Sequence, residues 1–151
     1  MRRSMTSFIE ARDIRKVIDA ENGPRSLRAV RTVRLIFTIA GIYGLIVLTP
    51  FLFMERAIAE RTPGGLTHPE YYYGFLGAGL VMQLVYLTIG RDPVRFRPLM
   101  PMGSLAKLAF FIPVVILFLQ HRVPSVTLGF ASIDVVLGLA FLYAWRTTGD
   151  A

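Results

Sequence analysis

Asp134 is the one acidic side chain within four long apolar stretches, and a carboxyl in such a place is either held by a partner or used. It sits in Gly129-Phe130-Ala131-Ser132-Ile133-Asp134-Val135-Val136-Leu137-Gly138, near the middle of the fourth stretch. A charge at the centre of a membrane helix costs about 2.5 to 3.5 kcal/mol on insertion scales. The group is therefore expected to face a bundle interior, where it can carry a proton or bind a ligand. Lys107, in Ser104-Leu105-Ala106-Lys107, is the one basic group well inside a stretch. Its stem can snorkel to the interface or reach toward Asp134. Counting helical rise from the ends of the stretches puts Gln83 at a depth close to that of Lys107, and Tyr43 close to Asp134. A polar seam of Tyr43, Gln83, Lys107 and Asp134 is expected, although interhelical hydrogen bonds of this kind serve packing as readily as function.

Other chemistries find less support. General acid–base catalysis by paired carboxylates needs a second acid in the stretches, and there is none. No serine has a histidine at a recognisable nucleophile spacing. The chain has no cysteine, which removes disulfides and thiolate metal sites. His68 and His121 fall between the stretches; with Glu70 they could meet a metal, but surface histidines are the simpler reading. Catalytic residues, metal and cofactor are all expected to be absent, so an enzyme is not expected.

The elements that must position the seam are clear. Residues 35–54 and 71–90 each run 20 residues with no charge, and 98–120 and 123–145 each run 23 with one. At about 1.5 Å per residue, about 20 residues cross a hydrocarbon layer roughly 30 Å thick. The stretches are apolar nearly all round and lack the polar face of a helix in a soluble core. Hydrophobic residues make up 54% of the 151 and charged ones only 18%, against about 25% in soluble domains. The fold class is all-α: a four-helix transmembrane bundle over residues 26–146, with a short tail at 147–151.

Charge sets the orientation. Nine basic residues precede position 35, two lie between the first and second stretches, four accompany the turn into the third, one separates the third and fourth, and one follows. Basic residues concentrate on the cytoplasmic side. Both termini and the 91–101 loop are thus expected in the cytoplasm of a cell with the chain in its inner (cytoplasmic) membrane. The net charge of +7 crowds the membrane edges and is not interleaved with aromatics on a soluble face, which favours anionic lipid over nucleic acid. Arg28, Arg31 and Arg34, and Arg91, Arg95 and Arg97, are the candidate lipid-phosphate contacts. Ala57-Ile58-Ala59 has the look of a cleavage site, but a signal core is about 7 to 15 residues long and follows a short basic start, so the first stretch is expected to be retained.

Residues 1–25 form the one sizeable segment outside the bundle. Ser7 and Glu10 have capping-box spacing, Asn22-Gly23-Pro24 supplies a stop, and Ala11, Ile14, Val17 and Ile18 share one side of a helical wheel. A short cytoplasmic amphipathic helix on the inner leaflet is expected. Pro50 and Pro113 are expected to kink their spans. No strict G-x-x-x-G marks a dimer face, and no repeat relates the two halves of the chain.

The loop Gly90-Arg91-Asp92-Pro93-Val94-Arg95-Phe96-Arg97-Pro98-Leu99-Met100 is one of several recognisable segments. Together with Tyr71-Tyr72-Tyr73-Gly74-Phe75, Lys107 and Ser132-Ile133-Asp134-Val135-Val136-Leu137-Gly138, it resembles a group of small bacterial four-helix integral membrane proteins of uncharacterised activity. The resemblance spans roughly residues 70–146 and implies fold and location but no activity. In size and layout alone the chain is also distantly similar to DoxX-like proteins, some of which are linked to quinone or redox complexes. Small multidrug transporters carry an essential glutamate in their first helix, whereas residues 35–54 hold no acid.

Two functional classes follow. One is a non-enzymatic accessory or scaffold component whose polar residues lock helix packing, with another membrane protein or a second copy as partner. The other is a small-molecule or proton-coupled transport unit using Asp134. A cavity reaching Asp134 favours transport, and a tightly packed, fully paired Asp134 favours the scaffold.

Overall fold

A computed structural model describes residues 27–62 and 64–149. The amphipathic helix expected over residues 1–25 lies outside them. The described residues fold as helices joined by short turns. Helix α1 covers residues 27–48 and runs on as a 3-10 turn, Thr49–Phe53. Then come α2 (Glu55–Arg61), α3 (Pro69–Arg91), a 3-10 turn at Arg97–Leu99, α4 (Met100–Leu119) and α5 (Ser125–Gly149). Four spans, Leu27–Phe53, Pro69–Arg91, Arg97–Leu119 and Ser125–Gly149, are long and apolar enough to cross a membrane. Most of their apolar surface faces outward: Ile39, Ile46, Val81, Ile112, Val136 and Leu139 are all exposed, as suits a hydrocarbon solvent.

Two prolines act differently from each other. Pro50 lacks an N–H and its ring crowds the carbonyl four residues back. It marks the change to 3-10 geometry, and Met54 then leads the chain into α2. Pro113 lies inside α4, which continues across it to Leu119. The connection after the first span contains α2. Its start is tied to α3: Tyr73 donates to Glu55 at 2.7 Å, and Tyr72 donates to the Phe51 carbonyl. At the other end of the spans, Asp92 closes a turn by accepting from the Arg95 amide at 3.2 Å, and Pro93 is buried beneath it. The helix α5 reaches Gly149, so residues expected to begin the tail are helical.

Helices α1 and α3 pack antiparallel through small residues. Thr38 opposes Gly90, Gly41 opposes Leu87, Gly44 opposes Gln83 and Leu48 opposes Gly79. Between α4 and α5 the match is Ser104 with Gly138 and Lys107 with Asp134. The core lies toward the end that carries the Arg97 turn, where Val33, Phe37, Ala40, Tyr86, Ile89, Met100, Phe141 and Ala144 form one buried cluster. Its centre is aromatic. Phe37 stacks on Phe141 at 4.3 Å between centroids, and Tyr86 tilts against Phe141 at 4.8 Å. Such rings add about 0.5 to 1.5 kcal/mol per pair beyond area burial and knit α1, α3 and α5 together.

Candidate functional site

Above the aromatic cluster, toward the end that carries α2, the helices line an open cavity of about 460 Å³. It is lined from all four spans and from Ile58 of α2. All four residues of the expected polar seam line it: Tyr43 from α1, Gln83 from α3, Lys107 from α4 and Asp134 from α5. The shared height follows from packing. Tyr86 donates to the Gly103 carbonyl at 3.4 Å, which levels α3 with α4, and Gln83 and Lys107 each stand about one turn further along.

Lys107 resolves its two options in favour of Asp134. Its Nζ donates to Asp134 Oδ1 at 2.7 Å, with side-chain exposures of 11% and 17%. Among the described residues this is the one ion pair that joins two of the long helices. The ammonium also lies 5.6 Å above the Tyr86 ring, close enough for a cation–π attraction. Three residues before Lys107, Ser104 donates to the Gly138 carbonyl at 2.9 Å. Gly138 is one turn beyond Asp134, so the two contacts form consecutive rungs between antiparallel helices. Neither Ser104 nor Tyr86 stood out in the sequence. The spacing of Ser104 to Lys107 against that of Asp134 to Gly138 is a signal that could have found the first, once α4 and α5 are taken as antiparallel neighbours.

Gln83 is buried and its amide orientation is fixed. Nε2 donates to the Gly79 carbonyl at 2.9 Å, which a carbonyl oxygen could not do. Oε1 therefore faces α1, where a methyl group on Gly44 would overlap it. That oxygen is buried without a hydrogen-bond partner. Gly44 lets the backbone of α1 approach an amide that no larger residue would admit. Tyr43, the neighbouring residue, is half-buried and faces the cavity.

The arginines expected at lipid phosphates divide. Arg28, Arg31 and Arg34 are exposed along the first turns of α1, and Arg91 and Arg95 are exposed around Asp92. Arg97 is half-buried; its Nε donates to the Trp145 carbonyl at 3.1 Å and its guanidinium lies 5.1 Å over the Trp145 ring. A cation near the last turns of α5 also meets the negative end of the helix dipole. His68 contacts Glu70 at 3.0 Å beside the start of α3, while His121 lies in the α4–α5 turn.

The chemistry open to the cavity is recognition. Its walls are mainly apolar and aromatic, and Tyr43, Gln83, Lys107 and Asp134 converge at similar height. That combination, in a volume within the range of about 300 to 1,000 Å³ typical of ligand sites, describes a place for a small molecule. Comparison of the chain with protein-family models, with curated proteins and with solved structures finds no match.

Proposed function

We propose that this multi-pass membrane protein is a non-enzymatic unit that binds or transports a small molecule through the cavity above Asp134. The observation that carries this reading is that the cavity reaches a membrane-depth ion pair from the α2 end, while the Phe37, Tyr86 and Phe141 cluster closes the opposite end. A bundle built for packing alone gains nothing from leaving such a volume next to its one buried charge pair, since voids forfeit contact energy. With basic residues on the cytoplasmic side, the Arg97 end and both termini face the cytoplasm and the cavity lies toward the other side. The exposed arginines at that cytoplasmic end meet anionic headgroups.

Carbodiimide labelling of reconstituted protein tests the reading. Asp134 is expected to react from the cavity, to be protected by a bound ligand, and to lose the signal in Asp134→Asn. Inertness of Asp134 toward both small and bulky carbodiimides would sink it.

The accessory or scaffold reading keeps one observation of its own. The Lys107–Asp134 and Ser104–Gly138 rungs tie α4 to α5, which is what a packing role asks of them. On that reading Asp134→Asn lowers thermal stability and changes no labelling or binding property.

A further inference from the structure

The charged groups of the cavity lie only at its floor; nearer the α2 end its polar lining is the hydroxyls of Tyr72, which is spent on the Phe51 carbonyl, and Thr127. Val47, Leu48, Phe51, Phe75, Phe110 and Phe130 line its length and offer neither charge nor hydrogen bond. At the floor, Lys107 donates a hydrogen bond through one of its three ammonium N–H groups to Asp134 Oδ1. Asp134 Oδ2 has no hydrogen-bond partner among the described residues, yet it is not sealed in protein: the one buried side-chain atom found without a partner is Gln83 Oε1. The floor thus presents a free acceptor beside a paired ammonium, with no net charge.

That pairing selects against ions. A cationic head drawn to Asp134 meets Lys107 a few ångströms away, and an anionic head drawn to Lys107 meets Asp134. In a low-dielectric setting the repulsion offsets the attraction, and the ion still loses its hydration. An uncharged head that donates a hydrogen bond escapes both costs and finds a charge-assisted partner at Oδ2. Tyr43 supplies a further hydroxyl on the adjoining wall.

We propose that the cavity takes an uncharged, mainly apolar molecule bearing a hydroxyl-type donor, with the donor on Asp134 Oδ2 and the apolar body along Phe75, Phe110 and Phe130. This rests on the reading of the cavity as a ligand site and specifies what that site accepts.

Four probes that share an apolar body test it: para-hexylphenol, its methyl ether para-hexylanisole, the anion para-hexylbenzoate and the cation para-hexylbenzylammonium. Binding to the full chain in lipid nanodiscs is followed by native mass spectrometry. The phenol is expected to bind about tenfold or more tightly than the ether, the scale of one hydrogen bond to a charged group. It should also outbind both ions. Lys107→Met combined with Asp134→Leu should bring phenol and ether to equal affinity while both still bind. Ala106→Phe, which fills the cavity from α4, should abolish binding, and Thr127→Phe at the α2 end serves the same purpose if the first variant does not fold. Equal affinity for phenol and ether in the wild type, or tighter binding of either ion, would overturn the proposed ligand class and leave the ligand site standing. No binding of any probe, or binding that survives the filling variants, would overturn the site itself.

Discussion

Lys107 on α4 and Asp134 on α5 meet at 2.7 Å across the floor of the cavity, so each charge is neutralised by a residue on the other helix. Breaking a buried pair strands a charge, at a cost of about 3 to 5 kcal/mol, whereas replacing both partners with apolar residues is often neutral or stabilising. Lys107→Met and Asp134→Leu are each expected to destabilise by about that amount, and the double variant to recover most of it. Thermal or denaturant unfolding in detergent measures all three. A double variant as unstable as the worse single would show that the pair contributes more than mutual neutralisation.

Gly44 and Gln83 form a second pair that can be tested as a unit. A methyl group at Gly44 would overlap the Gln83 amide, so Gly44→Ala is expected to cost about 1 to 3 kcal/mol through overpacking. Gln83→Ala in the same chain should restore the space. A double-mutant cycle with a coupling energy of at least about 0.5 kcal/mol is the expected outcome.

Gln83 Oε1 is buried without a partner, and such a group carries a desolvation cost of about 1 to 3 kcal/mol. Methionine has a similar shape and no amide. The carbonyl of Gly79 loses little in the exchange, because it lies within the hydrogen-bonded ladder of α3. Gln83→Met is therefore expected to leave the melting temperature unchanged or to raise it. A fall of several degrees would show that the amide has a stabilising role beyond its bond to Gly79.

His121 stands where helices prefer glycine. It ends α4 with φ at 55°, its amide donates to Phe118 and the Arg122 amide donates to Leu117, the two bonds of a Schellman turn. A side chain in the left-handed region is strained, and glycine there is not. His121→Gly is expected to stabilise by about 1 kcal/mol, seen as a higher unfolding midpoint, with no change in probe binding because His121 lies outside the cavity lining.

Phe141 is fully buried and touches both Phe37 and Tyr86, which makes it the centre of the aromatic closure. Phe141→Ala is expected to cost about 3 to 5 kcal/mol from lost burial and the void left behind. Fluorescence-monitored unfolding of the reconstituted protein measures it.

The sequence by itself determined the four spans, because about 20 uncharged residues in a row admit few other fates. It also singled out Asp134, Lys107, Gln83 and Tyr43, because polar groups in an apolar stretch are costly enough to demand a partner, and helical rise gave their heights. Rise gives no azimuth, however. Only packing decided that Lys107 turns toward Asp134 rather than to the interface, that Gln83 donates to Gly79 while its oxygen lies unpaired against Gly44, and that Arg97 turns in to Trp145. The cavity, Tyr86 and the aromatic closure were hidden for the same reason. Each depends on which faces of separate helices meet, and stretches that are apolar nearly all round carry no stripe to announce that face. In a chain whose exterior is as apolar as its interior, the spans are written in composition, and the site is written in the fit of small residues against large ones.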